Sequence, residues 1–410
     1  MRQSKIPKQF IWAVVAICAL PTLLNLLGLD FGSAQPSLDL RAASRMAPNE
    51  LVDALHHSLA GSFTHTLLEW SAFCTAIFTV ILAFVHFKIK RDVVTPIIGV
   101  ALFWAGCMDA FHTLAADRLI QATADNRNLI PFTWAICRLF NALIPIVAVA
   151  LLLVRRVPMG QRSGFYFVSI VSLAFGLLAY GIINICATSN RLPETMFPNS
   201  TVTRPWDIAP LGLYLFSGAV VYPLLHRWRR DLFSLCLWLS VIPDATTQFH
   251  MAFGSTALFD NHFNIAHFLK IMAYLVPFAG LCLDYVRTYR QQSLTVAQLQ
   301  EAQAGLADSE TRTRAILENA ADAIITTDEQ GTIESFNAAA QRIFGYTPEE
   351  MLGKNLNTLI PAARSRQHHQ HINRCLPTDL ENLVGTTRQV AAQRKDGTRF
   401  PAEIAISDLR

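Results

Sequence analysis

Residues 264–286 read NIAHFLKIMAYLVPFAGLCLDYV, and residues 291–315 read QQSLTVAQLQEAQAGLADSETRTRA. The first stretch is apolar and exceeds the ~20 residues that a helix needs to cross a bilayer. The second stretch is polar and has too few apolar residues for a folded core, so we expect a solvated helix. The chain before this pair is mostly apolar, and the chain after it has the pattern of a soluble domain. The pair therefore predicts a helical joint between a membrane domain and a soluble domain.

The composition also indicates a membrane protein. The 410 residues are 52% hydrophobic and only 16% charged, against about 25% charged residues in soluble domains. The net charge of +4 comes from Lys and Arg in short loops beside apolar runs, which indicates membrane topology and no nucleic-acid partner. The eight cysteines form no CxxC pair, so no disulfide framework or zinc motif is predicted.

Eight stretches are long and apolar enough to span a membrane as helices. They lie at about residues 10–29, 65–87, 93–115, 129–154, 164–187, 208–226, 232–253 and 264–286. The first stretch also fits a cleaved signal peptide, because Lys8 precedes it and small residues follow at 32–34. If the first stretch is instead a membrane span, residues 1–286 form an all-α bundle of about eight spans. The lipid-facing surface of this bundle contacts the membrane.

Lys and Arg residues are distributed unevenly on the two sides of these spans. Fourteen flank one side, which includes the N-terminus and the exit from the eighth span, and six flank the other. Loops rich in Lys and Arg stay in the cytoplasm. We therefore expect a multi-pass protein of the bacterial inner membrane with both termini in the cytoplasm.

Residues 287–312 form the predicted linker. Its apolar residues Tyr289, Val296, Leu299 and Leu306 recur at intervals of seven and three, which is typical of an imperfect coiled coil. Two interpretations fit: a signalling helix that pairs in a homodimer, or a plain solvated linker helix.

Residues 313–410 have the alternating pattern of a small α+β domain. A turn separates two predicted strands, a short helix ends at a glycine, and a capping box of Thr347 and Glu350 begins another helix. The predicted elements are strands at 323–328, 333–337, 385–393 and 400–408, and helices at 338–344, after 347 and at about 364–375.

Two motifs in this domain identify a family resemblance. DEQGTIESFNAAAQRIFGY at 328–346 and RKDGTRFPAEIAIS at 394–407 resemble a PAS domain, in particular the oxygen-sensing haem domain of FixL-type proteins. The resemblance implies an antiparallel sheet that normally closes with one more strand. We therefore expect a PAS domain at 313–410 that is truncated before its last strand.

A second resemblance concerns the membrane part. HTLLEWSAF at 65–73, MDAFHTLA at 108–115 and WAICRLFNA at 134–142 resemble the membrane-associated sensor (MASE) domains, most of all their third type. The resemblance covers about residues 60–290. It implies a bacterial sensor that precedes PAS domains, histidine kinases or diguanylate cyclases.

Ionisable side chains cost about 2.5 kcal/mol or more at the centre of a bilayer, so each requires a partner or a function. With the topology above, most of them fall towards the outer half of the bundle. The candidates are His65, Glu69, Asp109, His112, Arg138, Asp244, His250, His262 and His267. Their one-sided clustering predicts a ligand site near the outer face of the membrane.

Several interpretations of this outer group remain open. Imidazoles with carboxylates bind transition metals, and paired histidines on facing helices hold haem. The same side chains also suit a small polar molecule. Alternatively the group is structural, with Arg138 paired to Asp109 or Asp244 and the histidines at helix ends.

The FixL resemblance also implies a haem site in the PAS domain. The matching positions are His368 for the axial ligand, Arg388 for the arginine that responds to bound oxygen, Arg374 beside the haem propionates, and Leu383 and Ile406 in the apolar walls. Asn382 departs from the family, which has a second propionate-binding histidine there. A PAS domain without haem is therefore the alternative.

The chain carries no P-loop, GxSxG or HExxH motif and no kinase or cyclase catalytic motif. We therefore predict the input and relay part of a sensor histidine kinase, with a response regulator or an output domain beyond residue 410 as partner. A diguanylate cyclase or phosphodiesterase is the alternative parent. A transporter, or a membrane haem protein, with a regulatory PAS tail is the alternative from another class.

Overall fold

The computed structural model describes residues 8–33, 43–155, 161–361 and 387–407. The chain divides into two compact units, residues 1–291 and residues 292–410. The first unit is a helical bundle, and the second has the short strands and helices of an α+β domain.

Eight helical segments cover the described part of the first unit. They are α1 (Lys8–Leu26), α2 (Pro48–Lys90), α3 (Val94–Ala116), α4 (Asn126–Arg155), α5 (Gln161–Thr188), α6 (Pro205–Arg229), α7 (Leu232–Leu239, Val241–Phe249 and the π-turn His250–Gly254) and α8 (Asn261–Asn319). All except α7 are long and apolar enough to cross a membrane by length and composition. The predicted multi-pass helical bundle is confirmed.

Two helices differ from the predicted spans. The 43-residue α2 begins at Pro48 instead of 65, and at 1.5 Å per residue its length of about 64 Å is twice the hydrocarbon thickness of a bilayer. The seventh segment, predicted as one span, is interrupted at Ser240. Pro243 has no N–H to donate to the carbonyl of residue 239, so one helical hydrogen bond is missing at the interruption.

Ion pairs join three helices at one end of the bundle. Arg229 donates two hydrogen bonds to Asp92, at 2.8 and 2.5 Å, and a third to Asp231 at 3.0 Å. Lys90 donates to Asp284 of α8 at 2.9 Å. The turn between α2 and α3, the turn between α6 and α7, and this level of α8 therefore lie at the same end, as the distribution of basic loops predicts.

Small residues let α2 and α3 approach closely. A Cβ atom added to Gly99 or to Gly106 would lie 2.6 Å from the Cβ of Ala83 or of Ala76. Close contact through small residues is a common way for helices to associate in membranes, where lipid removes much of the hydrophobic driving force. This contact holds α2 against α3 between Ala76 and Ala83, on the C-terminal side of Glu69 in α2.

The 59-residue helix α8 contains both the apolar stretch and the polar stretch of the joint. Its predicted helicity is confirmed. The four apolar linker residues are exposed, with fractions of 62% at Tyr289, 53% at Val296, 59% at Leu299 and 72% at Leu306. Nothing in the described chain covers this apolar row.

The second unit contains two antiparallel hairpins. Strands β1 (Ile325–Thr327) and β2 (Ile333–Phe336) form one, and β3 (Thr387–Gln393) and β4 (Arg399–Ala405) form the other. Helices α9 (Ala338–Phe344) and α10 (Pro348–Met351) follow β2, and a 3₁₀ turn, Leu356–Leu359, follows α10. The hairpins do not pair with each other within the described residues, and the predicted helix at 364–375 lies outside those residues.

Local sequence signals account for the ends of these short helices. Gly345 ends α9 in the left-handed conformation at φ 75°, and the predicted capping box of Thr347 and Glu350 begins α10. The Lys395 ammonium, and next the Thr347 N–H, donate to the Glu350 carboxylate and hold its pKa below the usual value. Phe344 packs on Phe400 in the core between α9 and β4.

Candidate functional site

Four of the predicted membrane residues converge on one point. His65 and Glu69 come from α2, His112 from α3 and His267 from α8, and each is at most 1% exposed. One ligand atom from each lies within 4.8 Å of those from the others. We call this group, His65, Glu69, His112 and His267, the central cluster.

Hydrogen bonds define the tautomers of two of its histidines. Thr133 Oγ1 donates to the Leu129 carbonyl at 2.7 Å, so it accepts the proton of His112 Nδ1 at 2.8 Å. His267 Nδ1 donates to the Phe263 carbonyl at 2.7 Å. In a neutral imidazole the other ring nitrogen then carries a lone pair. His112 and His267 therefore direct unprotonated Nε2 atoms into the cluster.

A buried charge network lies beside the central cluster. Lys270 Nζ donates to Glu69 Oε1 and lies 3.5 Å from Asp109 Oδ1. Asp109 also accepts hydrogen bonds from Tyr274 at 2.8 Å and from Asn141 at 3.1 Å. The structure therefore brings Asp109 next to the central cluster through Lys270, and each carboxylate has a cationic or polar donor.

Arg138 pairs with Asp244, one of the two partners proposed for it. The guanidinium donates to Asp244 at 2.8 Å and to Gln248 at 3.2 Å. It lies 5.0 Å from the centre of the Tyr214 ring. A cavity of about 20 Å³ borders Arg138 and Asp244, which is room for about one water molecule. This part of the outer group has the contacts of a structural ion pair.

His250 and His262 form a second histidine pair. Their Nδ1 atoms lie 2.8 Å apart, and His250 Nε2 lies 2.9 Å from Thr22 Oγ1 of α1. In the part of the chain that the structure describes, the group of side chains that could hold a metal ion is the central cluster, and neither His250 nor His262 belongs to it. The predicted outer group thus divides into the central cluster with Asp109, the Arg138 pair, and this histidine pair.

Several residues of the site were not predicted from the sequence. Thr133 and Trp134 are ordinary residues of an apolar span, and Gln248 has no charge to mark it. Asp207 precedes the predicted sixth span but is buried, and it accepts hydrogen bonds from Trp134 at 2.9 Å and Gln248 at 3.2 Å. The motif WAICRLFNA held a usable signal, because Trp134, Arg138 and Asn141 repeat at helical spacing.

A buried histidine at the other end of the bundle was also missed. His86 of α2 is fully buried, and its Nε2 lies 3.1 Å from Asp284 Oδ2 of α8. The sequence indicated that this half was poor in ionisable residues. The burial of His86 could not be predicted, because His86 lies near the end of a predicted span, where a histidine is easily solvated.

In the second unit, Asn337 joins the last turn of α8 to the sheet. Its side chain accepts from the Ile324 and Ala340 N–H groups, both at 2.9 Å, and donates to the Leu317 carbonyl at 2.9 Å and the Asp322 carbonyl at 3.1 Å. It is also the N-cap of α9. One side chain therefore fixes the end of α8 to β1 and α9.

We expect Asn337→Ala to destabilise the second unit by about 1–3 kcal/mol, because it leaves several backbone groups without partners. Chemical denaturation of the full chain, followed by fluorescence at a reporter in the second unit, measures this. Asn357→Ala in the same unit, where the side-chain oxygen has no hydrogen-bond partner, serves as the control. Equal effects of the two substitutions would contradict the assigned role.

The predicted haem positions are only partly described. Arg388 is exposed on β3, opposite Ile404 of β4, and Ile406 is 40% exposed after β4. The other three positions, His368, Arg374 and Leu383, lie outside the described residues. Haem binding by the PAS domain therefore stays a prediction.

Comparison with protein-family models assigns the membrane bundle and the α+β unit that follows it to a membrane-bound sensor. The model of the MASE3 family, a membrane-associated sensor domain, matches residues 60–288, and the model of the PAS fold matches residues 311–410. Because the first match covers more than half of the chain, the chain belongs to the MASE3 family and carries a PAS domain after it.

The curated relatives include sensor histidine kinases. Sensor protein FixL of Bradyrhizobium diazoefficiens is 32% identical over 155 residues, which are 37% of this chain and 31% of FixL. Cell-division control histidine kinase PdhS of Brucella anthropi is 25% identical over 38% of this chain and 15% of its own length. The chain thus spans less than a third of these relatives.

One solved structure that is similar to part of this chain is the PAS domain of an HTR-like protein from Haloarcula marismortui. It covers 25% of this chain and 82% of its own, with 21% identity and a TM-score of 0.22.

Proposed function

We propose that the chain is the input and relay part of a bacterial inner-membrane sensor histidine kinase. A stimulus acts at the central cluster near the periplasmic face, and α8 carries the change to the PAS domain. Both termini lie in the cytoplasm, and the phosphotransfer partner is a response regulator. The relative named as a sensor protein, FixL, and the relative named as a histidine kinase, PdhS, support this parent class.

One observation carries the proposal. His267 and Lys270 of the buried network belong to α8, and the last turn of the same helix is bonded to Asn337 of the PAS domain through Leu317. A change in the contacts of His267 or Lys270 therefore acts on a continuous helix that ends in the PAS domain. A ligand shifts such an equilibrium only by its difference in affinity for the two states.

A homodimer gives this helix a partner. Tyr289, Val296, Leu299 and Leu306 present an exposed apolar row with intervals of seven and three, which suits a two-stranded coiled coil. Relay then consists of a change in the packing or rotation of the two α8 helices.

Disulfide cross-linking in membrane vesicles tests the proposal. In a background without the eight native cysteines, Leu306→Cys reports the distance between paired helices. We expect Lys270→Met to change the cross-linking yield at 306 several-fold, because Glu69 and Asp109 lose their shared cation. Lys88→Met, on α2 beyond the cluster, is the matched control. Unchanged cross-linking in a folded Lys270→Met protein would contradict the proposed relay.

A further inference from the structure

We propose that the central cluster binds one first-row divalent transition-metal ion, with Zn²⁺ as the simplest occupant. The proposal rests on the proposed function and names the ligand class of the same site. Three imidazole nitrogens and one carboxylate face each other in a dry part of the bundle. Imidazole together with carboxylate suits Zn²⁺, Cu²⁺ and Ni²⁺, whereas Mg²⁺ and Ca²⁺ prefer oxygen ligands alone.

The distances between ligand atoms fit a single small ion. His65 Nε2 donates a hydrogen bond to the His112 Nε2 lone pair at 3.2 Å, and a metal ion takes the place of that proton once His65 releases it or carries it on Nδ1. His267 Nε2 lies 3.1 Å from Glu69 Oε1. Two ligands bound tetrahedrally at about 2.0–2.1 Å from zinc are separated by about 3.4 Å. The four ligand atoms all lie within 4.8 Å of one another, so side-chain movements of about 1 Å suffice to bring them to bonding distance.

The hydrogen bonds around the cluster have the form of an outer coordination shell. Metal-bound histidines usually donate their second ring N–H to a carbonyl, hydroxyl or carboxylate, which fixes the ring and its tautomer. His112 Nδ1 donates to Thr133, and His267 Nδ1 donates to the Phe263 carbonyl. The Nε2 lone pairs of both rings therefore point inward before any ion arrives.

Two buried ligand atoms have no other partner. His267 Nε2 and Glu69 Oε2 make no hydrogen bond, although their residues are fully buried. Buried polar atoms in proteins are nearly always bonded, so an unpaired pair at one site requires an explanation. A lone pair of His267 also faces the Glu69 carboxylate at 3.1 Å, and a bound cation replaces that repulsion with two bonds.

The local charge favours a cation. Glu69 and Asp109 are two buried carboxylates that share the single ammonium of Lys270. A divalent ion at Glu69 frees Lys270 to pair with Asp109 alone. Because Lys270 lies on α8, this exchange of partners also connects metal binding to the helix that enters the PAS domain.

Haem does not fit the same arrangement. Two axial imidazoles would place their nitrogens about 4 Å apart, twice a metal–nitrogen bond, with a flat macrocycle between them. The His65 and His112 rings are in direct edge contact, with their centroids 5.1 Å apart, and the Phe263 ring stacks on His267 at 4.1 Å, so no slot for a flat macrocycle lies between these rings. A single ion satisfies the cluster without opening this packing.

Metal binding to the full chain in nanodiscs tests the proposal. The protein is purified with a tag that contains no histidine and titrated with Zn²⁺ against a chromophoric chelator. We expect one equivalent per chain and a rise in melting temperature. We also expect Co²⁺ to give the intense visible bands of a four-coordinate site, and Cu²⁺ to give nitrogen hyperfine splitting in its EPR spectrum.

Substitutions separate this site from adventitious binding. His112→Gln should weaken binding at least about 100-fold, and Thr133→Val, which only removes the outer hydrogen bond, about 10–100-fold. His86→Gln removes a buried histidine from the same bundle, at its other end, and should bind like the natural protein. Thr133→Val gives a result even if His112→Gln fails to fold.

Three outcomes would overturn the metal site. The first is the absence of stoichiometric binding of Zn²⁺, Cu²⁺, Ni²⁺ or Co²⁺. The second is equal metal affinity of Thr133→Val and the natural protein, and the third is a loss of metal affinity in His86→Gln as large as in His112→Gln. The sensor role is tested independently. If no metal binds but Lys270→Met still alters cross-linking at 306, the central cluster receives another stimulus, such as a proton. If metal binds and cross-linking never responds, the site is structural.

Discussion

Insertion of one residue after Ala302 should disconnect the two ends of α8. An α-helix turns about 100° per residue, so Leu306 would rotate by that angle away from the seam that contains Val296 and Leu299. In the proposed homodimer, Leu306→Cys should then lose most of its cross-linking while Val296→Cys retains it. The dependence of the PAS domain on the central cluster should be lost as well.

A seven-residue insertion at the same place is the matched control. Seven residues turn the helix by about 700°, within 20° of two full turns, so the apolar row is restored although the helix is about 10 Å longer. Cross-linking at 306 should return with seven residues and not with one. If the one-residue insertion leaves cross-linking and the response to Lys270→Met intact, the linker acts as a flexible tether and the proposed helical relay is wrong.

Much of the fold could be predicted because membranes and PAS domains impose strong local patterns. Apolar length predicted the spans, and the turn, capping and glycine signals around 328–350 predicted the short elements of the second unit. The start of α2 could not be predicted from hydropathy, because residues 48–64 are not apolar enough to mark a span although they continue its helix. The interruption of α7 at Ser240 depends on tertiary context, since Pro residues occur inside α4 and α8 without ending those helices.

The candidate site was predicted as a group but not in its internal arrangement. The free-energy cost of burying an ionisable side chain in a membrane marks such residues in apolar spans as candidate site residues. His65, Glu69 and His112 were predicted on this ground. It does not say which of them meet, because that depends on helix rotation and neighbours. Hence Arg138 and His250 were grouped with His65, although the structure gives each a separate partner. Neutral residues such as Thr133 carry no burial signal at all, yet Thr133 sets a tautomer.

The stability of the protein should fall far more when Arg138 or Asp244 is substituted alone than when both are substituted together. Arg138→Met leaves the Asp244 carboxylate, which is only 15% exposed, without its cation. Removing one partner of a fully buried pair costs about 3–5 kcal/mol, and the partial exposure of Asp244 places this pair at or below the lower end of that range. We expect a correspondingly large fall in the melting temperature of the detergent-solubilised protein. Gln248 and the Tyr214 ring lose the guanidinium as well.

The double variant Arg138→Met with Asp244→Leu removes both charges from the same place. Replacement of a buried ion pair by apolar residues of similar volume is often neutral or stabilising, so the double variant should recover most of the stability that either single variant loses. The recovery isolates the interaction between the two side chains from their separate packing. If the losses simply add, Arg138 and Asp244 are stabilised independently by their other contacts. Because neither Arg138 nor Asp244 belongs to the ligand set of the central cluster, the double variant should also retain metal binding. It thereby separates the stability of the bundle from the chemistry of its site.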